Sequence, residues 1–418
     1  MTDRSKECTP KQSKVFRRNK TVMNFERRVL IAMCVLIFAN QLGFGAMVPS
    51  LPLYAKTYGV SATAIGMAIA VYGLARFVMA IPSGQISDKW GRRPALAIGG
   101  LLSALGNVWS VYADAYPEFL IARFVAGAGA GMVVTTGSVV LADITTKERR
   151  GRVIAIYQGS FIFAVGIGPL PGGFLAQHYG LLAPFWFCAA ASIVAGSVAL
   201  FAVKETRHLA REKETGGGGL PPLHRQLALL WGNIGFMLVS GIALINALTR
   251  TGGLFNIVPI IGSFRVGLDY DQIGIGLAVG SILGLFAVYP AGMAVDRWGR
   301  KAVIVPATLI TGASFVLFAV AESFLAFAAA NALWGIASSI GGSAPAAYAA
   351  DSAPPGMNAS AMSLFRMLGD IGYVVGPILL GFIVDVQGTD TALFLSTFLL
   401  VAIGVAFARF APETYRAR

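Results

Sequence analysis

Five ionisable side chains lie inside long apolar runs, and their types limit the chemistry open to the chain. Asp370 is the only acid among them; the others are Arg76, Arg123, Arg250 and Arg366. Apolar surroundings drive a carboxylate toward protonation, and a nearby arginine drives it back toward the anion. Arg366 precedes Asp370 by four residues, one helical turn away on the same face. A carboxylate held between these influences can alternate between a proton and an ion partner, which is what coupling to protons requires. A fixed Arg366–Asp370 ion pair that pins helix packing is the competing reading, and both stand at this level. No nucleophile–base pair or metal-ligand spacing is present. Cys8, Cys34 and Cys188 are unpaired in spacing, and His178, His208 and His224 are isolated, so neither a catalytic residue nor a metal site is expected.

Arg123 stands in Leu120-Ile-Ala-Arg123-Phe-Val-Ala-Gly127. An arginine at membrane depth is costly unless paired or wetted, so it is expected to face a cavity or to bond backbone carbonyls in a purely structural role. The glycines at 127, 129 and 131 allow a neighbouring helix to approach closely. In Thr249-Arg250-Thr251-Gly252-Gly253, paired glycines beside polar residues predict an unwound turn that lines a cavity. Formally, this interior carries three more positive than negative charges, which disfavours permanent cations and favours neutral or weakly acidic ligands.

The elements that position these residues follow from composition. The chain is 56% hydrophobic and only 13% charged, with a mean hydropathy of +0.69. About 20 apolar residues cross a bilayer as a helix. Twelve spans are predicted, at 29–54, 62–83, 94–113, 117–142, 152–176, 181–203, 227–263, 270–294, 301–320, 323–350, 359–384 and 391–411. They form an all-α integral membrane fold of two six-helix bundles, 29–203 and 227–411. A basic, disordered tail (1–28), a charged linker (204–226) with four consecutive glycines, and a short C-terminal tail (412–418) complete the division.

The net charge of +13 does not mark a nucleic-acid binder, because Lys and Arg fall in short loops rather than one patch. They gather in alternate loops, and only Lys56 and Arg265 occupy the opposite side. By the positive-inside rule both termini are expected in the cytoplasm. The short loops and compact length suggest a bacterial inner (plasma) membrane.

Gly84-Gln-Ile-Ser-Asp88-Lys-Trp-Gly91-Arg92-Arg93 returns as Gly292-Met-Ala-Val-Asp296-Arg-Trp-Gly299-Arg300-Lys301, at an offset of 208 residues. In the same register Ala142-Asp143 becomes Ala350-Asp351, Gly168-Pro169 becomes Gly376-Pro377, and Glu205-Thr206 becomes Glu413-Thr414. Parallel repeats of six helices imply a pseudo-twofold axis along the membrane normal.

With these motifs the chain resembles the major facilitator superfamily, and within it the twelve-helix drug:proton antiporters. The G-x-x-x-D-x-x-G-R-R loop is the family's signature. The resemblance implies a breakable cytoplasmic latch at Gly84, Asp88, Gly91, Arg92, Arg93, Gly292, Asp296, Gly299 and Arg300, against a plainly topogenic role for the same charges. Arg123 falls on the family's fourth-helix arginine, which is linked to proton transfer, and so joins Asp370 and Arg366 as an expected proton-coupling residue. Gly168-Pro169-Leu-Pro-Gly172-Gly173 is similar to the core of the antiporter signature and predicts a bend; the upstream glycines of that signature are Ala164 and Ala155 here. Where many drug exporters carry an acid in the first helix, this chain has Asn40-Gln41. Sugar porters usually carry P-E-S-P-R after the sixth helix, whereas Lys204-Glu205-Thr206-Arg207 stands here.

The resemblance therefore implies a monomeric secondary transporter with no bound cofactor. A transmembrane proton gradient would drive export of small amphipathic molecules by alternating access, in contact with the lipid bilayer. Asn40, Arg76, Asn246, Arg250 and Tyr373 are the expected substrate-path residues. Proton-coupled import of a small organic acid is the alternative, and a receptor or scaffold without transport is a third.

Overall fold

The computed structural model describes residues 10–145, 149–207, 229–354 and 357–414, which among them form helices and no strand. The first half holds α1 (Pro10–Met47), α2 (Leu51–Lys56), α3 (Ala62–Val78), α4 (Ala80–Trp90), α5 (Arg92–Tyr112), α6 (Tyr116–Ile144), α7 (Arg150–Ile167), α8 (Pro169–Tyr179) and α9 (Ala183–Phe201). The second holds α10 (Ile234–Thr249), a π-helical segment (Arg250–Ile257), α11 (Val258–Phe264), α12 (Tyr270–Trp298), α13 (Arg300–Ala319), α14 (Phe324–Asp351), α15 (Asn358–Gln387) and α16 (Thr389–Phe410).

Eleven helical stretches among the described residues are long and apolar enough to cross a bilayer; α3 and α4, bent by 44°, make a twelfth. Their outer surface stays apolar, with Phe201, Phe382 and Phe398 among many large exposed side chains. A bilayer matches such a surface, which in water would aggregate. Local chemistry sets several helix starts. Ser61 and Ser323 accept the N–H groups of Ala64 and Ala326, each at 3.3 Å, and Asn233 accepts that of Phe236 at 3.1 Å. Asp269 and Gln272 form a capping box before α12.

The sequence repeat reappears as repeated packing. Helix α5 packs on α6 and α9, as α13 does on α14 and α16; α1 packs on α9 and α7, as α10 does on α16 and α15. Crossing between halves also repeats, with α3 against α15 and α12 against α7 and α8. Buried apolar residues gather in three clusters. One belongs to the first half alone (Val29 to Val203), one to the second alone (Leu230 to Ala411), and the third draws on both halves. The halves are thus fused through a common core at one end and keep separate cores at the end carrying the repeated loops.

Several expectations are corrected in detail. The stretch read as a disordered tail is helical from Pro10, continuous with the first span, because nothing in it breaks a helix; residues 1–9 lie outside the described residues. That span ends at Met47, and the rest of the predicted run forms the separate α2, which has Pro52 in its first turn. The seventh span runs Ile234–Phe264, and the tetraglycine linker falls outside the described residues. Thr249–Gly253 is not unwound. It enters the π-helix, whose glycines sit where side chains at Gly252 and Gly253 would strike the Gly376 backbone and the Phe315 ring. At Pro169 the helix is interrupted yet continues as one span. Gly168 keeps helical angles, and the N–H groups of Gly168 and Gly172 reach Ala164 and Gly168 oxygens at 3.0 and 3.1 Å.

Candidate functional site

Each repeated loop closes a polar cluster at the separate-core end. Gly91 and Gly299 turn the chain with φ of 109° and 97°, a region that favours glycine. The turn delivers Arg92, only 4% exposed, into a pocket of acceptors. Its guanidinium donates to Asp143 at 2.9 Å, to the Ser87 carbonyl at 3.0 Å and to Asp88 at 2.5 Å. Glu205 caps the start of α5, its carboxylate accepting the N–H groups of Arg92 (3.0 Å), Arg93 (3.1 Å), Thr206 (3.0 Å) and Arg207 (2.9 Å). Thr206 Oγ1 donates to Asp143 at 3.0 Å. The second half repeats the pattern more loosely: Arg300 donates to Asp351 at 3.0 Å, and Glu413 accepts the N–H groups of Arg300 and Lys301 at 3.2 and 3.0 Å. The Asp296 side chain lies outside what is described. A side chain on Gly84 or Gly292 would meet open space, so packing does not demand either glycine, and Arg93 is exposed.

Asp143 and Glu205 were not singled out in the sequence as parts of this cluster. The signal was the 208-residue register itself, which carries both acids along with the arginines they bind.

Burial pushes the Glu205 carboxyl up, but the backbone N–H groups of Arg92, Arg207, Arg93 and Thr206 outweigh it and hold the group below the ordinary glutamate range. A carboxyl depressed in the folded state stabilises the fold above its unfolded value of about 4.3. That contribution is lost as pH falls through the folded value. Acidification below about pH 4.3 is therefore expected to loosen this end, and Glu205→Gln to remove that part of the acid sensitivity. Apparent melting temperatures of parent and variant across that range check it.

The second group of polar residues stands where the halves meet at mid-depth. Helix α15 is wedged between α3 and α10. Side chains added at Gly73, Gly372 and Gly376 would strike Tyr373, the Leu244 backbone and the Leu248 backbone respectively. Just before this contact, toward the loop end, Arg366 and Asp370 are exposed. The charges that act on Asp370 are Arg76 and Arg366, yet neither comes within 4.0 Å of it. The fixed Arg366–Asp370 pair is therefore not formed here. Arg76 lies 5.9 Å from the Tyr373 ring centre and Arg250 lies 5.3 Å from that of Phe255, with Tyr373 and Arg76 among Arg250's charged and titratable neighbours. Thr251 Oγ1 ties the π segment to α15 by donating to the Tyr373 carbonyl at 3.1 Å. Asn246 is half-buried one turn before Arg250. Asn40 is only 3% exposed and receives Gln41 Nε2 at 3.4 Å. Arg123 is fully buried and sits on the Tyr72 ring at 4.7 Å.

The fused end carries the inter-half bonds. Asp385 of α15 accepts the N–H groups of Ala62 and Thr63 at 2.7 and 2.9 Å, and the Thr63 hydroxyl at 2.5 Å. One half thus caps a helix of the other. Gln177 accepts the Tyr270 N–H at 3.0 Å, and Lys56 lies 3.4 Å from the Phe264 ring centre. The G-P-x-P-G-G segment belongs here too. Side chains at Gly168 and Gly172 would strike the Gly45–Ala46 backbone of α1, and one at Gly173 the Tyr270–Gly274 backbone of the other half. Asp385→Ala is expected to shift the balance toward a parted end by roughly 5- to 30-fold, the equivalent of losing a helix cap. Distances between spin labels at exposed Thr57 and Gln387 check this: they should lengthen in the variant and not in the parent.

The chain is similar to known transporters along nearly its whole length. The chain is 24% identical over 373 residues to an uncharacterized MFS-type transporter of Methanocaldococcus jannaschii, covering 89% of this chain and 95% of the relative. It is 24% identical over 396 residues to Multidrug resistance protein 2 of Bacillus subtilis, covering 92% and 96%. The crystal structure of a D-xylose-proton symporter shares its fold with a TM-score of 0.71, at 16% identity, over 92% of this chain and 98% of that one. The family model described as Major Facilitator Superfamily matches residues 33–265 and 241–418. The repeated loop clusters, the twelve spans and these matches agree: the chain belongs to the major facilitator superfamily of transporters, close to its drug:proton antiporters.

Proposed function

We propose that the protein is a proton-driven exporter of small amphipathic molecules, neutral or weakly acidic, working by alternating access as a monomer in a bacterial inner membrane with both termini in the cytoplasm. The reading rests on Asp370. It is accessible where the halves part, with two arginines near enough to act on it and neither close enough to lock it. Bound ligand that brings hydrogen-bond donors to this carboxylate favours its ionised form, so substrate and proton exclude one another. The transmembrane proton gradient supplies the energy, and Asp370, Arg366 and Arg123 form the coupling group. Asn246, Arg250, Arg76 and Tyr373 face the substrate on its way through. The Arg92 and Arg300 clusters act as latches that hold each half rigid while the halves rock. Support for the outward direction comes from the relative named for multidrug resistance and from the G-P-x-P-G-G segment.

A second reading, proton-coupled import of a small organic acid, is favoured by one observation: Arg76, Arg123 and Arg250 outnumber the single acid near the meeting plane. Everted vesicles separate the two. With the lumen made acid, an exporter draws chloramphenicol or salicylate into the lumen as protons leave; an importer carries the same compound outward with the protons.

A further inference from the structure

Arg123 presents a charge problem that the transport cycle above does not solve. It is 0% exposed, yet the groups whose charge it feels are Tyr72, Cys188 and Tyr373, with no carboxylate among them. One guanidinium nitrogen, Nη1, makes only two long contacts, 3.4 Å to Asn107 Oδ1 and 3.9 Å to Met47 Sδ. Nε and Nη2 have no hydrogen-bond partner in the protein. Unpaired buried charge is among the most costly features a fold can carry, and it persists where a counter-charge is supplied. Arginine does not escape by losing its proton.

The guanidinium borders a small, partly open space of about 10 Å³ between the halves, room for one small particle. Phe44, Met47, Ile69 and Tyr72 of the first half line it, and Phe255 of the second half closes it. Phe44 stacks on Tyr72 at 5.2 Å and meets Phe255 edge-on at 6.3 Å, so the walls are apolar and aromatic. Such a space is too small for a carboxylate with an organic body and offers no acceptor to a second cation. Two free N–H donors on a cation that lines a space one small particle wide match a monovalent halide.

We infer that Arg123 holds a chloride ion between the two halves, a bound counter-ion distinct from substrate and proton. Because Phe255 comes from the other half, chloride stabilises the arrangement in which the π segment lies against α1 and α3. The anion neutralises the arginine and leaves Asp370 as the titrating group, so the inference rests on the transport reading only for its consequence and not for the site.

The test uses purified full-length protein in lipid nanodiscs. Exchanging gluconate for chloride at constant ionic strength should raise the apparent melting temperature saturably. Bromide should substitute, and sulfate, too large for the cavity, should not. Arg123→Lys keeps the charge but loses the paired donors, and should weaken the chloride effect at least roughly tenfold. Arg123→Met should melt identically in both salts. Because a variant at a fully buried position can fail to fold, the parent protein is also read by chloride-35 line broadening that bromide removes. Phe255→Ala, which opens the cavity wall, should weaken that broadening. Identical melting of the parent in chloride and gluconate, a chloride effect that survives in Arg123→Met, or broadening unchanged in Phe255→Ala would each overturn the site. None of these readouts involves transport, so failure of the export reading leaves them standing, and their failure leaves it standing.

Discussion

Asp370→Asn is expected to cut uphill transport by roughly two orders of magnitude while leaving downhill exchange of substrate close to that of the parent. The amide oxygen still accepts hydrogen bonds from a ligand, as the carboxylate does, but there is no proton for that ligand to displace. Substrate therefore still binds and exchanges, uncoupled from protons. Nothing in the surroundings of Asp370 predicts a fold defect, since it is exposed and makes no ion pair within 4.0 Å. Counterflow of labelled substrate, with no gradient imposed, separates this outcome from a structural one. Loss of counterflow together with uphill transport would mean that Asp370 builds the cavity rather than couples it. Asp370→Glu should restore part of the uphill rate, because it restores a titratable group one methylene further along.

The second large effect concerns stability, and it breaks the symmetry of the repeat. Arg92→Ala should destabilise the protein by about 3–5 kcal/mol. Arg300→Ala, at the same place in the second half, should cost about 1 kcal/mol or less. The two arginines share a motif and a partner type but not an environment. Side chains of Arg92 and Asp143 are 4% and 7% exposed, whereas those of Arg300 and Asp351 are 21% and 38% exposed. Removing Arg92 leaves a carboxylate in a low-dielectric setting with Thr206 as a neutral donor. Removing Arg300 leaves Asp351 in reach of water. Apparent melting temperatures of the two variants in the same nanodiscs give the comparison. Equal shifts would show that burial does not decide what these pairs contribute.

Much of the fold was readable because the bilayer simplifies the problem. A membrane helix announces itself by length and apolarity, and the 208-residue register shows that one bundle was written twice. What escaped were features set by contacts across that register. The π-helix at Arg250–Ile257 looks in sequence like a glycine-weakened turn, because the Gly376 backbone and Phe315 ring that shape it lie far along the chain. The helical character of the stretch from Pro10 escaped because basic composition was read as disorder, although it contains no helix breaker after Pro10. Among polar residues, Asp370 and the arginines stood out against an apolar background. Asp385 did not, since an acid near a span's end looks like an ordinary surface residue. Only its position against the α3 start gives it a partner. Asn40 also stood out by polarity within a span; here it is buried and receives the neighbouring Gln41 amide.

The central claim is that substrate and proton compete at Asp370. The most direct measurement is proton exchange by the purified protein in weakly buffered solution, on addition of the compound that moves in everted vesicles. The account predicts release of about one proton per protein from the parent and none from Asp370→Asn. Proton uptake on binding, or release that persists undiminished in the variant, would contradict it.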